Sequence, residues 1–217
     1  MTPKDVLTWL RAEASEAHRA SLARYGIPTE GALGVPMGVM KKQAKAWGYH
    51  HALALELWKD GGYEARTMAA HLADPAELTG DRMDAWTADF DNWAICDTCC
   101  YQLFAKATPR WEKVKTWAPE EEEFVKRAAF ALIWALTRHD KNAPDAAFTA
   151  TFPLIEAAAS DDRPLVHKAV DMALRAIGKR NRALNEAATA FAQSIAHTKP
   201  GKKALRELTS EKVRAKL

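Results

Sequence analysis

The chain has 217 residues, 48% of them hydrophobic and 27% charged, with a formal net charge of +3. That length suffices for one sizeable domain or a short solenoid with a real core, and the apolar content excludes a disordered chain. No run of eighteen apolar residues is present, which excludes a membrane-spanning helix, and the N-terminus, with Asp5 and no apolar core segment, lacks the pattern of a secretory signal.

Apolar residues recur at helical spacing nearly everywhere. Thr2 and Pro3 read as the cap and first position of a helix that takes in Val6, Leu7 and Leu10 and runs through Leu22 toward Tyr25, where Gly26 and Pro28 end it. A loop to Pro36 follows, then helices around Val39–Trp47 and His51–Trp58, closed by Gly48 and by the Gly61–Gly62 pair. Ala65 to Leu72 forms the next, before a break at Asp74–Pro75. Further helices are expected from Met83, over Asn92–Ala105, Trp111–Trp117, Glu120–Arg138, Ala146–Ala159, Leu165–Gly178 and Ala183–Ala196. The four acids Glu120–Glu123 suit a helix start, where the macrodipole favours negative charge. About eleven helices without a clear strand make an all-α protein. Phe124-Val-Lys-Arg-Ala-Ala-Phe-Ala-Leu and Leu165-Val-His-Lys-Ala-Val-Asp-Met-Ala are alike at an offset of 41 residues, the period of two-helix repeats. The expected architecture is a curved solenoid of stacked antiparallel helix pairs over residues 1–217, one domain without an internal boundary, and Arg127 and Lys168 would share a face of it. A basic segment from about residue 198 is the candidate for a loosely held tail.

Charge is unevenly divided. Of 31 bases and 28 acids, 13 and 4 lie from Arg163 onward, leaving 18 and 24 before it, so the two parts carry +9 and −6. Clustered bases attract phosphates over about a Debye length, so either a polyanionic partner or a solvated basic tail accounts for the asymmetry. Three cysteines, Cys96, Cys99 and Cys100, fall within five residues. An odd, clustered set argues against a disulfide framework and for a reducing compartment, taken as the cytoplasm. Cys96 and Cys99 have redox spacing but a helical context, which favours a packed thiol cluster. With no second Cys or His pair at suitable spacing, no metal site is expected, and no cofactor-binding loop is seen.

The segment from Asp89 to Phe104 is the densest in reactive side chains. Trp93 and Asp97 lie one turn apart on a helix face, while Ile95, Cys99 and Leu103 line another that can pack. A carboxylate beside a large aromatic suits a cation or a developing positive charge. An ordinary buried Trp with a nearby surface Asp has the same spacing.

This run, with Leu33-Gly-Val-Pro-Met, Gly61-Gly-Tyr-Glu-Ala-Arg, Phe124-Val-Lys-Arg-Ala-Ala-Phe and Ala176-Ile-Gly-Lys-Arg-Asn, resembles the AlkD-like DNA alkylation repair family over about residues 20–185. The resemblance implies a curved stack of HEAT-like helix pairs and a DNA glycosylase that excises N3- and N7-alkylated purines without flipping the base. It implies that Asp97 is the catalytic carboxylate, that Trp93 packs against the sugar and backbone on the lesion side, and that Arg127 lies near the phosphate. The family's second tryptophan falls at Met172, and Ala94 stands where several members carry an aspartate. Lys168, Arg175, Lys179, Arg180 and Arg182 are the expected DNA-binding bases. The implied partner is double-stranded DNA, alkylated or distorted, engaged by a monomer with no membrane or cofactor. A non-catalytic helical-repeat protein that binds DNA shape or branched DNA is the alternative reading; a protein-binding scaffold fits the basic C-terminal part less well.

Overall fold

Fifteen α-helices and two 3-10 turns make up the fold, with no strand, in a computed structural model that describes residues 1–217. No helix is long and apolar enough to cross a membrane. The chain forms two compact units, Met1–Thr108 and Pro109–Leu217. The join, which no composition shift in the sequence marks, lies just before the helix that Pro109 caps.

The first unit holds α1 (Pro3–Ala12), α2 (Glu16–Leu22), α3 (Met37–Trp47), α4 (His51–Asp60), α5 (Tyr63–Leu72), α6 (Gly80–Ala88) and α7 (Trp93–Gln102), with 3-10 turns at Ala23–Tyr25 and Phe104–Lys106. Thr2 and Asp5 close a reciprocal capping box over Pro3, as their order suggests. The single helix expected toward Tyr25 is in fact two. α1 stops at Ala12, and the Ser15 hydroxyl oxygen starts α2 by accepting from the His18 amide at 3.3 Å. α5 is the hub, packed against α1, α3, α4 and α7 through Ala65, Met68, Ala69 and Leu72.

Two of the motif segments meet at α5. Glu64, 1% exposed, accepts hydrogen bonds from the backbone amides of Leu33 (3.1 Å), Gly34 (2.7 Å) and Val35 (3.3 Å). A buried carboxylate is tolerated because three donors replace its lost water. Gly34 has φ 76°, and a Cβ there would lie 2.2 Å from the Ser15 carbonyl oxygen, so only glycine lets this loop run so close to the start of α2.

The second unit holds α8 (Arg110–Trp117), α9 (Glu123–His139), α10 (Asp145–Thr149), α11 (Phe152–Ala158), α12 (Pro164–Ile177), α13 (Arg182–Ser194), α14 (Lys199–Leu208) and α15 (Glu211–Arg214). The helix expected over Ala146–Ala159 is split, because Pro153 has no amide hydrogen to bond back to Thr149 and its ring crowds that carbonyl. α9 and α12 form the central pair. α9 is buried from Arg127 through Ile133 without interruption, as a helix enclosed on all sides must be.

The segment from 198 is no loose tail. Thr198 caps α14, which packs on α12 and α13 and buries Pro200, Gly201, Ala204 and Leu208. Leu208 seats against Gly178, where a Cβ would lie 2.6 Å from its Cδ1. Full burial of that one leucine is worth about 2 kcal/mol, which lysine-rich flanks do not offset.

Candidate functional site

α7 is started by Asn92, whose side-chain oxygen accepts from the amides of Ala94 and Ile95, both at 3.0 Å. The approach to that cap is fixed from below. Trp58 and Trp86 stack with centroids 4.1 Å apart, and the Trp58 indole donates to Asp89 Oδ2 at 2.7 Å. Arg66 lies over the Trp58 ring and donates to the Asp89 carbonyl at 2.8 Å. The backbone that leads into α7 is therefore held by an aromatic stack and a guanidinium.

Ala94, Ile95, Cys96, Cys99 and Cys100 are buried, which leaves α7 one half-exposed stripe in which Trp93, Asp97 and Tyr101 follow at intervals of four. Thr98 and Gln102 flank it. Burial first, then a hydrogen bond with Cys96 and nearby charge including that of Asp97, pushes the Cys100 thiol well above its ordinary range; burial does the same to Cys99. Both therefore stay protonated and serve as packing rather than as nucleophiles. Trp93 is held firmly: its indole nitrogen donates to the Tyr25 carbonyl at 2.7 Å, and its ring packs with Tyr63 against Leu22, Ile27, Ala32 and Ala94. Ala94, which stands where the resemblance gives several members an aspartate, is part of this apolar cluster. The stripe sets a carboxylate between two aromatic residues, each one turn away, an arrangement that suits a cation. Tyr101 escaped the sequence reading, which stopped one turn past Trp93; the spacing of four from Asp97 was the available signal.

In the second unit several of the expected site bases are engaged by partners within the protein. Arg127 is 4% exposed and donates from Nη1 to the Leu165 carbonyl at 2.6 Å. It does not share an environment with Lys168, which is exposed on α12. Arg175 binds Asp171 through two bonds of 2.9 Å and Glu207 of α14 at 2.5 Å. Lys179 donates to Glu207 at 2.6 Å. Arg180 donates to the carbonyls of Thr137, Asp140 and Lys141 at 2.9–3.1 Å and lies over Phe148. It thus serves the unpaired carbonyls at the end of α9, groups that every helix terminus must satisfy. Arg127, Arg175 and Arg180 thus tie helices together, whereas Lys179 remains exposed beside its Glu207 partner. Lys168 and Arg182 are the exposed members of the set without a carboxylate partner. Met172 is half-buried, next to Asp171, which is 1% exposed and also pairs with Lys203 at 2.9 Å.

Residues 6–207 match the model of a family described as DNA alkylation repair enzyme. No curated protein matches the chain. Among solved structures, the chain is similar to one reported as a new family of proteins related to the HEAT-like repeat DNA glycosylases with affinity for branched DNA structures. The two are 20% identical, with a TM-score of 0.85, over 100% of this chain and 96% of that one. The fold is thus a HEAT-like helical repeat.

Proposed function

The chain belongs to the DNA alkylation repair enzyme family, and from that premise we propose that it binds double-stranded DNA and excises cationic N3- and N7-alkylated purines. The observation that carries this reading is the place of Asp97, on the one half-exposed stripe of a rigidly capped helix, between Trp93 and Tyr101.

The chemistry needs few groups. An N3- or N7-alkylpurine is already a cation, so it leaves with the glycosidic electron pair and needs no acid. Positive charge builds on the deoxyribose as the bond lengthens, and a carboxylate stabilises it. Asp97 also accepts the proton of the water that adds to the anomeric carbon, so the products are a neutral purine and an abasic sugar. The electron-rich faces of Trp93 and Tyr101 favour the same developing charge. Backbone phosphates on the second unit fall to Lys168 and Arg182, in place of the buried Arg127.

Incubation of the protein with duplex carrying N7-methylguanine, followed by alkaline cleavage, tests the reading; strand cuts at the lesion are expected. Two observations favour a second reading, a non-catalytic binder of branched or distorted DNA. Met172 stands where the resemblance implies a tryptophan, and the similar structure is reported to have affinity for branched DNA. Intact lesion strands together with tighter binding to a four-way junction than to linear duplex would establish that alternative.

A further inference from the structure

The first unit is acidic on balance, with 11 bases and 14 acids in residues 1–108. Yet one cleft in it, of about 300 Å³, is walled by Lys41, Lys45 and Lys106 and by no acid. Lys41 and Lys45 stand one turn apart near the end of α3, and Lys106 comes from the 3-10 turn after α7. His71, in the last turn of α5, lines the same cleft with Tyr49 and Gln102. No carboxylate lies within ion-pair distance of any of the three ammonium groups, although Lys59, Lys126, Lys179 and Lys203 each have one.

This arrangement is costly when empty. Partial burial and the charge of Lys41 hold the Lys106 ammonium below its ordinary range. Burial, then the charges of Lys41 from α3 and Lys106 from the 3-10 turn, push the His71 imidazole down to about 4. Its Nε2 is buried and has no hydrogen-bond partner. Lysines in a last helical turn do serve the helix dipole, which accounts for Lys45. That effect gives no reason to bring Lys106 from another element toward Lys41, or to leave a buried imidazole nitrogen without a partner beside them. An anion in the cleft relieves the mutual repulsion of the lysines and favours the protonated form of His71.

We propose that this cleft binds a phosphate group, with Lys41, Lys45 and Lys106 on its oxygens and His71, Tyr49 and Gln102 as further donors. Only the source of that phosphate rests on the function proposed above, which makes it a backbone phosphodiester of DNA. Three ammonium groups converging from two elements, with His71 from a third, fit an oxyanion with several acceptor oxygens.

The test uses the full chain and two probes. In the first, the His71 imidazole signals are followed by NMR while inorganic phosphate is added, against sodium chloride at matched ionic strength. Phosphate is expected to raise the His71 midpoint by roughly one pH unit or more over the chloride control, and Lys41→Gln/Lys106→Gln to abolish that difference. In the second, duplex affinity is measured across salt concentrations. The double variant is expected to flatten the log–log slope by about 0.9, one phosphate fewer. Thermal melts verify the fold of the variant, and Lys45→Gln alone repeats both arms should the double variant fail to fold. Equal responses of His71 to phosphate and chloride would overturn the proposal. A phosphate-specific response with an unchanged duplex slope keeps the site but assigns it to a free or terminal phosphate. A wild type that binds no duplex removes the DNA reading, while the His71 arm still decides the site.

Discussion

Arg127 on α9 donates to the carbonyl of Leu165 in the first turn of α12 across 2.6 Å, and this bond joins the two central helices of the second unit. Arg127→Ala leaves that carbonyl and the space around it unfilled. A stability loss of about 2–3 kcal/mol is expected in denaturant titration, with duplex affinity in the folded variant unchanged. A variant as stable as wild type but weaker on lesion and non-lesion duplex alike would instead show that Arg127 reaches a phosphate.

Asp97→Asn is nearly isosteric and sits on a half-exposed stripe, so fold and duplex affinity are expected to survive it. Excision of N7-methylguanine is expected to fall by about two orders of magnitude or more, because the charge opposite the cationic sugar is gone. Uracil, a poor leaving group, is expected to remain in place with either protein. Equal excision by both forms would move the chemistry to another group.

Glu64→Gln exchanges one carboxylate oxygen for an NH₂ that faces amide donors of the Leu33–Val35 loop. A loss of about 1–3 kcal/mol is expected, read by denaturant titration, together with faster amide exchange at Gly34 and Val35. Unchanged protection at those two amides would mean that the loop is held by other contacts.

His71 gives the first unit an acid-sensitive window. Its folded pKa, about 4, lies below the ordinary 6.5, so between these values the unfolded chain binds the extra proton. Stability contributed by the neutral imidazole is therefore complete above about 6.5, declines as pH falls toward 4, and changes no further below that. The loss in phosphate-free buffer is on the order of 2–3 kcal/mol. His71→Gln is expected to flatten the stability profile across that window; a profile identical to wild type would place the titration elsewhere.

Much of this molecule is legible in its sequence where the signal is local. Gly48 and the Gly61–Gly62 pair mark helix ends correctly, and Thr2 with Pro3 marks a start. The Trp93–Asp97 spacing places both on one stripe of α7. What escapes is set by partners distant in sequence. Whether Arg175 faces solvent or Asp171 and Glu207 depends on how α14 lies on α12, and nothing near position 175 encodes that. α14 itself was hidden because its contacts are made by Pro200, Gly201, Ala204 and a single leucine, small groups set among lysines. The phosphate cleft draws one lysine from beyond α7 and two from α3, more than fifty residues apart.

The seat of Leu208 on Gly178 also orders events during synthesis. The main partners of α5, namely α1, α3, α4 and α7, lie within the first 108 residues, so the first unit can close while the second is still being made. The second unit cannot, since α12 awaits α14 and the salt bridges to Glu207 and Lys203 await the same helix. At common translation rates the residues from Pro109 onward take roughly 5–20 s to appear. For the part of it between the completion of α12 and that of α14, roughly 2–6 s, the face of α12 that α14 packs on has no cover. A ribosome stalled before residue 199 would thus hold out a finished first unit and an uncovered face of α12 on which Asp171 has Arg175 but lacks Lys203, the kind of surface on which a chaperone acts.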